Sequence, residues 1–194
     1  VTGGIVGYQE SGAVQNCYTQ CTVDGIWFTG GIVGYQKNGQ VVNTYAASDI
    51  WALSYGGGVC GYNRSGLFSN SVWNIDLSNG FNGSGDGPYV GLVEGTTTSM
   101  ITDLPYLNLG WDMNDTDAIW HSWGAGEQYP RLSWQLLPTD ITWPYGVDFA
   151  DHAFLVSSWM LESADPGYNV MADINEDGVV DVSDMLLMVE DWLH

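Results

Sequence analysis

The sequence predicts a mainly β protein: a β-solenoid of about three coils with an aromatic-rich cap, followed by a small helical domain. Three observations carry this. The string Gly3-Gly4-Ile5-Val6-Gly7-Tyr8 returns, with a period of 27, as Gly30-Gly31-Ile32-Val33-Gly34-Tyr35 and again as Gly57-Gly58-Val59-Cys60-Gly61-Tyr62. A fixed period of this length signals stacked structural units. Between the glycine clusters, apolar residues alternate with a period of two, which is strand patterning. After residue 137 glycine thins out and helical patterning takes over.

Each unit can be followed position by position. Gly12, Gly39 and Gly66 share a phase, as do Val14, Val41 and Phe68, Asn16, Asn43 and Asn70, and Tyr18, Tyr45 and Val72. Stacked coils place equivalent positions about 4.7–4.9 Å apart. Ile5/Ile32/Val59 and Val6/Val33/Cys60 are therefore expected to form apolar ladders. The paired glycines are expected at tight corners with positive φ. The three asparagines are expected to form a turn ladder whose amides hydrogen-bond along the stack. Residues 79–87 read as a loop by composition. Tyr89-Val90-Gly91-Leu92-Val93 reads as a divergent strand that ends the stack. Residues 76–137, with Trp111, Trp120, Trp123, Trp134, Tyr106 and Tyr129, read as a C-terminal cap over the exposed solenoid end. The domains expected are 1–137 and 138–194.

Composition narrows the function classes. The chain carries 23 acidic residues against three basic ones, for a net charge of −20. Nucleic acid needs cationic neutralisation of phosphates, so it is excluded as a partner class, and anionic membrane surfaces are disfavoured for the same reason. No apolar run reaches transmembrane length. The first unit is already in phase at Val1, which suggests a processed piece of a longer product. Cys60 occupies a ladder position and reads as a small buried hydrophobe. Cys17 and Cys21 lie four apart; a disulfide and two free thiols both fit.

The acidic C-terminal region contains a loop pattern. Asp173, Asn175, Asp177, Gly178, Asp181 and Asp184 match D-x-N-x-D-G-x-x-D-x-x-D. Positions 1, 3, 5, 9 and 12 supply oxygen ligands, Val179 at position 7 offers its carbonyl, and the glycine makes the sharp turn. Hard Ca²⁺ takes six to eight oxygens, so Ca²⁺ is the expected cofactor. A degraded copy lies upstream, with Val147, Asp148, Asp151, Val156 and Trp159 matching Val180, Asp181, Asp184, Val189 and Trp192. Its ligands would be Asp140, Thr142, Asp148 and Asp151. Pro144 carries no side-chain ligand, so weak binding or none is expected there. The two helices are expected to pack antiparallel on Phe154, Trp159, Leu186, Leu187 and Trp192.

Two family resemblances follow from these residues. The Gly-Gly-hydrophobic-hydrophobic-Gly core with its following Gly-hydrophobic-polar-Asn stretch resembles the GLUG-type repeat of bacterial surface and secreted proteins, over roughly residues 1–75. It implies a β-solenoid of adhesin-like proteins and no catalytic residue. Gly110-Trp111-Asp112 and Tyr129-Pro130-Arg131-Leu132 resemble the segment that follows such repeats. The duplicated loop-helix unit, with Asp184 at position 12, resembles a dockerin type I module, an EF-hand-like domain, over about residues 139–194. It implies a cohesin-like protein partner contacted through Val182 and Ser183, and through Phe149 and Ala150.

The expected function is therefore a non-catalytic, extracellular structural or adhesion protein, whose calcium-stabilised module mediates assembly or filament formation. The uncapped edge at Val1–Tyr8 is the expected self-assembly surface. The alternative is a fragment of a secreted carbohydrate-active β-helix enzyme, or a carbohydrate-binding module, that carries a dockerin. An enzyme needs paired carboxylates on one face. Glu10, Asp24 and Asp49 occupy different phases, and His121, His152 and His194 are scattered. The run from Asp112 to Asp117 reads as a solvated turn. Trp27, Trp51 and Trp73 also fall out of phase, so packing is expected of them rather than a glycan platform, with glycans kept as a further partner class. Asn63, Asn82 and Asn114 begin glycosylation sequons.

Overall fold

A computed structural model describes residues 1–113, 118–122, 128–135, 139–141 and 147–192. The chain forms two compact units, Val1–Ser133 and Trp134–His194. The residues at the expected boundary, 137 and 138, lie outside the described ones.

The first unit is mainly β, and its repeat strands pair in parallel. Thr2–Gly3, Thr29–Gly30 and Gly56–Gly57 form one sheet, and Val6–Gln9, Val33–Gln36 and Cys60–Asn63 a second. Ala13–Gln15, Gln40–Val42 and Leu67–Ser69 form a third. Register follows the repeat throughout: Val6 opposes Val33, Cys60 opposes Val33, and Val14 opposes Val41. Tyr18–Thr19, Tyr45–Ala46, Ser71–Asn74 and Leu92–Gly95 form a four-stranded sheet, and Thr22–Gly25 pairs with Asp49–Ala52. In the last added strand Leu92 opposes Ser71, a shorter step along the chain than the repeat period. This strand and residues 82–86, which bond to Gly58, Val59, Cys60 and Asn63, cover the edge of the third repeat.

The apolar ladders sit inward. Ile32, Val33, Val41, Val59 and Cys60 are fully buried and pack with Val14, Phe68 and Trp73. Ile5, the first-repeat member, is exposed. A second inward row is polar, which the apolar alternation does not announce: Gln9, Gln36 and Asn63 are all buried. Gln9 donates through Nε2 to the carbonyls of Gly12 and Gln40, and Asn63 through Nδ2 to those of Gly66 and Pro88. Gln36 has no hydrogen-bond partner at either Nε2 or Oε1. As a buried, bonded side chain, Asn63 is not placed to accept a glycan.

Four features differ from expectation. The glycine pairs are not at positive φ; a Cβ on Gly30 would strike the Val33 carbonyl, and one on Gly31 the Gly58 carbonyl. They are required by close backbone approach. Positive φ falls instead on Asn16, Asn43 and Asn70, at 49°, 48° and 49°. The Oδ1 atoms of Asn16 and Asn43 are buried without a partner, so the asparagines are there for the left-handed backbone, which they tolerate best after glycine, and not for an amide ladder. The aromatic segment does not close the end of the stack. Tyr106, Trp111, Met113 and Trp120 pack on the flank formed by Tyr18, Tyr45 and Val72. Trp111 donates its indole N–H to the Asn70 carbonyl at 2.8 Å, and the Tyr45 hydroxyl donates to the Pro130 carbonyl at 2.6 Å. Trp73 is buried as expected, but Trp27 and Trp51 are more than half exposed. Cys17, Cys21 and Cys60 are all free thiols, and burial pushes the Cys60 thiol up to about 12.

The second unit contains the helices Phe149–Ser157 and Val182–Trp192. Its core is Ile141, Leu155, Ala172, Val180 and Met188, with Phe154 and Trp159 partly buried. Leu186 and Leu187 face solvent, against expectation. In the second helix the inward place is taken by Met188 instead, while in the first Leu155 is buried beside the expected Phe154. Among the described residues no helix is long and apolar enough to cross a membrane.

Candidate metal centre

Residues 173–184 form a loop that closes on itself through its carboxylates. Gly178 takes φ of 89° and Glu176 of 58°, the turn that the glycine is expected to make. Asp173 accepts hydrogen bonds from the Asp177 and Gly178 N–H groups at 3.1 and 2.8 Å. Asn175 accepts from the Asp177 N–H at 3.0 Å and donates to the Asp177 carboxylate at 3.0 Å. Asp177 also accepts from the Val179 N–H. Asp184 ties the two ends together: Oδ1 accepts from the Ile174 and Asn175 N–H groups, and Oδ2 from the Asp181 N–H. Asp181 in turn accepts from the Ser183 N–H at 2.7 Å and caps the helix that follows.

A short antiparallel bridge anchors the loop. Val179 opposes Glu162, with Ser163 donating to the Gly178 carbonyl and Val180 to the Leu161 carbonyl. Those bonds use the neighbours of Val179, so its own carbonyl takes no part in them.

The electrostatics are one-sided. Residues 134–194 contain twelve Asp and Glu and no Lys or Arg. Yet Asp184 is fully buried and Asp173 nearly so. Buried carboxylates normally have a cationic partner or a metal. Tyr168 joins this site from outside the loop pattern, so the motif does not point to it. Its hydroxyl donates to Asp173 at 2.6 Å. That bond, burial and the charges of Asp173, Asp184 and Asp177 push its pKa up to about 12.

Among the described residues, no group of three or more His, Cys, Asp or Glu side chains is arranged to hold a metal ion. The loop carboxylates are turned onto backbone N–H groups instead. The donor set is still all oxygen, anionic at four positions and without a basic residue of its own unit, which suits a hard divalent cation.

The degraded loop differs. Asp148 caps the helix Phe149–Ser157 by accepting from the Ala150 N–H, while Asp151 accepts from the Asp148 N–H at 2.8 Å. This reciprocal cap matches the equivalent Asp184–Asp181 bond of the second loop. Asp140 and Asp151 are buried. Thr142 and Pro144 lie outside the described residues. Val182, Ser183, Phe149 and Ala150 are all exposed, in the first turn of each helix. Phe149 also meets the Trp192 ring edge-on at 5.0 Å.

The other candidates are dispersed. Glu10 pairs with Lys37 at 2.6 Å. Asp49 accepts from the Trp51 indole and the Asn79 amide. Asp103 accepts a hydrogen bond from Ser122, and burial lowers the pKa of the adjacent His121 while Asp103 opposes that shift. His194 and residues 114–117, with the Asn114 sequon, lie outside the described residues.

Comparison of the chain with family models, with curated proteins and with solved structures returns no match in any of the three.

Proposed function

We propose that this chain is a non-catalytic extracellular scaffold. In this reading Val1–Ser133 is a β-solenoid of the GLUG type, and Trp134–His194 is a dockerin-like module that binds Ca²⁺ and mediates protein–protein assembly. The observation that carries the reading is the oxygen-donor loop at 173–184, closed by two buried aspartates in a unit without Lys or Arg. Asp173, Asn175, Asp177, the Val179 carbonyl, Asp181 and Asp184 would hold the ion. The ion would supply the positive charge that the loop lacks.

The local chemistry supports this assignment. Each carboxylate is already held near its neighbours by backbone N–H bonds, so binding needs rotation of side chains rather than refolding of the loop. Neutralising the carboxylates favours the folded unit, because an ion that binds only the folded form stabilises it by mass action. The exposed first turns at Val182/Ser183 and Phe149/Ala150 then present a contact surface to a cohesin-like partner or to another copy. The in-phase parallel register supports the solenoid part of the reading.

Light scattering on size-separated protein, with Ca²⁺ and then with EGTA, tests it. Assemblies that shrink on chelation are the expected result. A monomer of unchanged size and stability under both conditions would overturn the calcium-dependent assembly.

A further inference from the structure

An exposed cluster of aromatic rings occupies one corner of the first unit, away from the acidic loop in sequence. Tyr8, Tyr35 and Tyr62 stack in register, with centroids 5.1 Å apart at each step. Phe28 packs against Tyr35, Tyr55 and Tyr62 at 5.4, 5.1 and 5.1 Å. Tyr55 stands at 90° to Tyr62, so the cluster presents rings in two orientations. Tyr8 and Tyr55 are exposed.

Two features set this cluster apart from ordinary surface apolarity. Phe28 and Tyr55 occupy equivalent positions of successive repeats, and both have positive φ, 39° and 54°. Bulky residues rarely adopt that conformation, and strain of this kind collects at functional sites. The repeat uses Gly12 and Gly39, and Asn16, Asn43 and Asn70, at its other left-handed positions, so the relaxed choice was available. Next to the cluster, Lys37 and Arg64, two of the three basic residues in the chain, follow directly on the strands that carry Tyr35 and Tyr62. Lys37 is engaged by Glu10, and Arg64 is exposed.

We propose that this corner binds a neutral polysaccharide chain, with Phe28, Tyr55 and Tyr8 offering apolar ring surface to the sugar and the tyrosine hydroxyls and Arg64 bonding its hydroxyls. Tyr35 lies in the central strand of its sheet and Phe28 leads into Thr29–Gly30, the central strand of another, so a peptide partner gains no main-chain hydrogen bonds at these two; the strand Val6–Gln9, which carries Tyr8, is a sheet edge. A sugar chain needs none. It has apolar C–H faces and a rim of hydroxyls, which matches rings that carry phenol groups. The net charge of −20 repels polyanions, which selects a neutral chain over an acidic one.

Affinity electrophoresis of the whole chain through gels containing a soluble β-glucan, xylan, mannan or polygalacturonate tests the proposal. Retardation by at least one neutral polysaccharide and not by polygalacturonate is expected, unchanged by EGTA. Tyr55→Asn removes a ring and relieves the backbone, so it should weaken retardation about tenfold, the upper range for one aromatic contact, without lowering the melting temperature. Tyr8→Ala, at the exposed end of the stack, should weaken it similarly. No retardation by any neutral polysaccharide overturns the proposal. So does preference for polygalacturonate, or a Tyr55→Asn and Tyr8→Ala pair that both bind as the parent does.

Discussion

Gln36 is fully buried with both amide atoms unpartnered. Leaving such a group unbonded costs about 1–3 kcal/mol, whereas an apolar group of the same shape does not. Gln36→Met should therefore stabilise the first unit by about 1–2 kcal/mol in urea titration, and a loss of stability would contradict the account. A second side chain, Tyr168, reports on the acidic loop. Its pKa of about 12 stems from its bond to Asp173 and from the surrounding carboxylates. Calcium should bring it back toward the ordinary tyrosine value of about 10, visible as tyrosinate absorbance appearing at lower pH. In metal-free protein the sign of the linkage follows. The raised value favours the neutral phenol in the folded state, so the contribution is complete below about pH 10 and is lost as pH rises through about 12. A Tyr168 titration indifferent to calcium would separate the hydroxyl from the metal site.

Among the strands and helices, the period of the repeat is legible and its reasons are partly hidden. Spacing alone identifies which residues stack, because parallel register conserves phase, and Val6/Val33/Cys60 and Tyr8/Tyr35/Tyr62 align as the sequence implies. What a glycine is for is not written in its spacing. Gly30 and Gly31 serve close packing, a relation to backbone atoms of their own and the next repeat. Gly31→Ala should therefore destabilise by about 3 kcal/mol, as overpacking against fixed backbone does, and a calorimetric shift smaller than that of an exposed-site control would refute it. The flanking aromatic segment shows the same limit: its composition announces burial, but not which face it covers. In the second unit the loop pattern names the oxygen donors, while Tyr168 escapes it because the link to Asp173 is spatial and lies outside the motif. The helix faces are hard to read because Leu186, Leu187 and Met188 in succession offer two nearly equivalent inward stripes on a short helix.

Taken as a whole molecule, the chain joins two units with different sources of stability. The first buries continuous apolar rows, the second a small core of five buried residues around paired caps. Domains of that size are marginal on burial alone. Two thermal transitions are expected, and Ca²⁺ should raise only the one belonging to Trp134–His194, with EGTA reversing it. A single transition, or two that move together, would show that the units do not melt independently.

The constant register has a kinetic meaning. Almost every repeat strand in the first unit pairs with the strand at the same phase of the next repeat, and Leu92–Gly95 pairs across a shorter step. Parallel sheets usually demand long searches, because loop closure must precede reward. Here each added repeat closes a loop of one fixed, modest length onto a surface already formed. Folding should thus proceed as growth from a nucleus of two adjacent repeats, faster than its strand content suggests, with a rate that depends little on how many repeats follow.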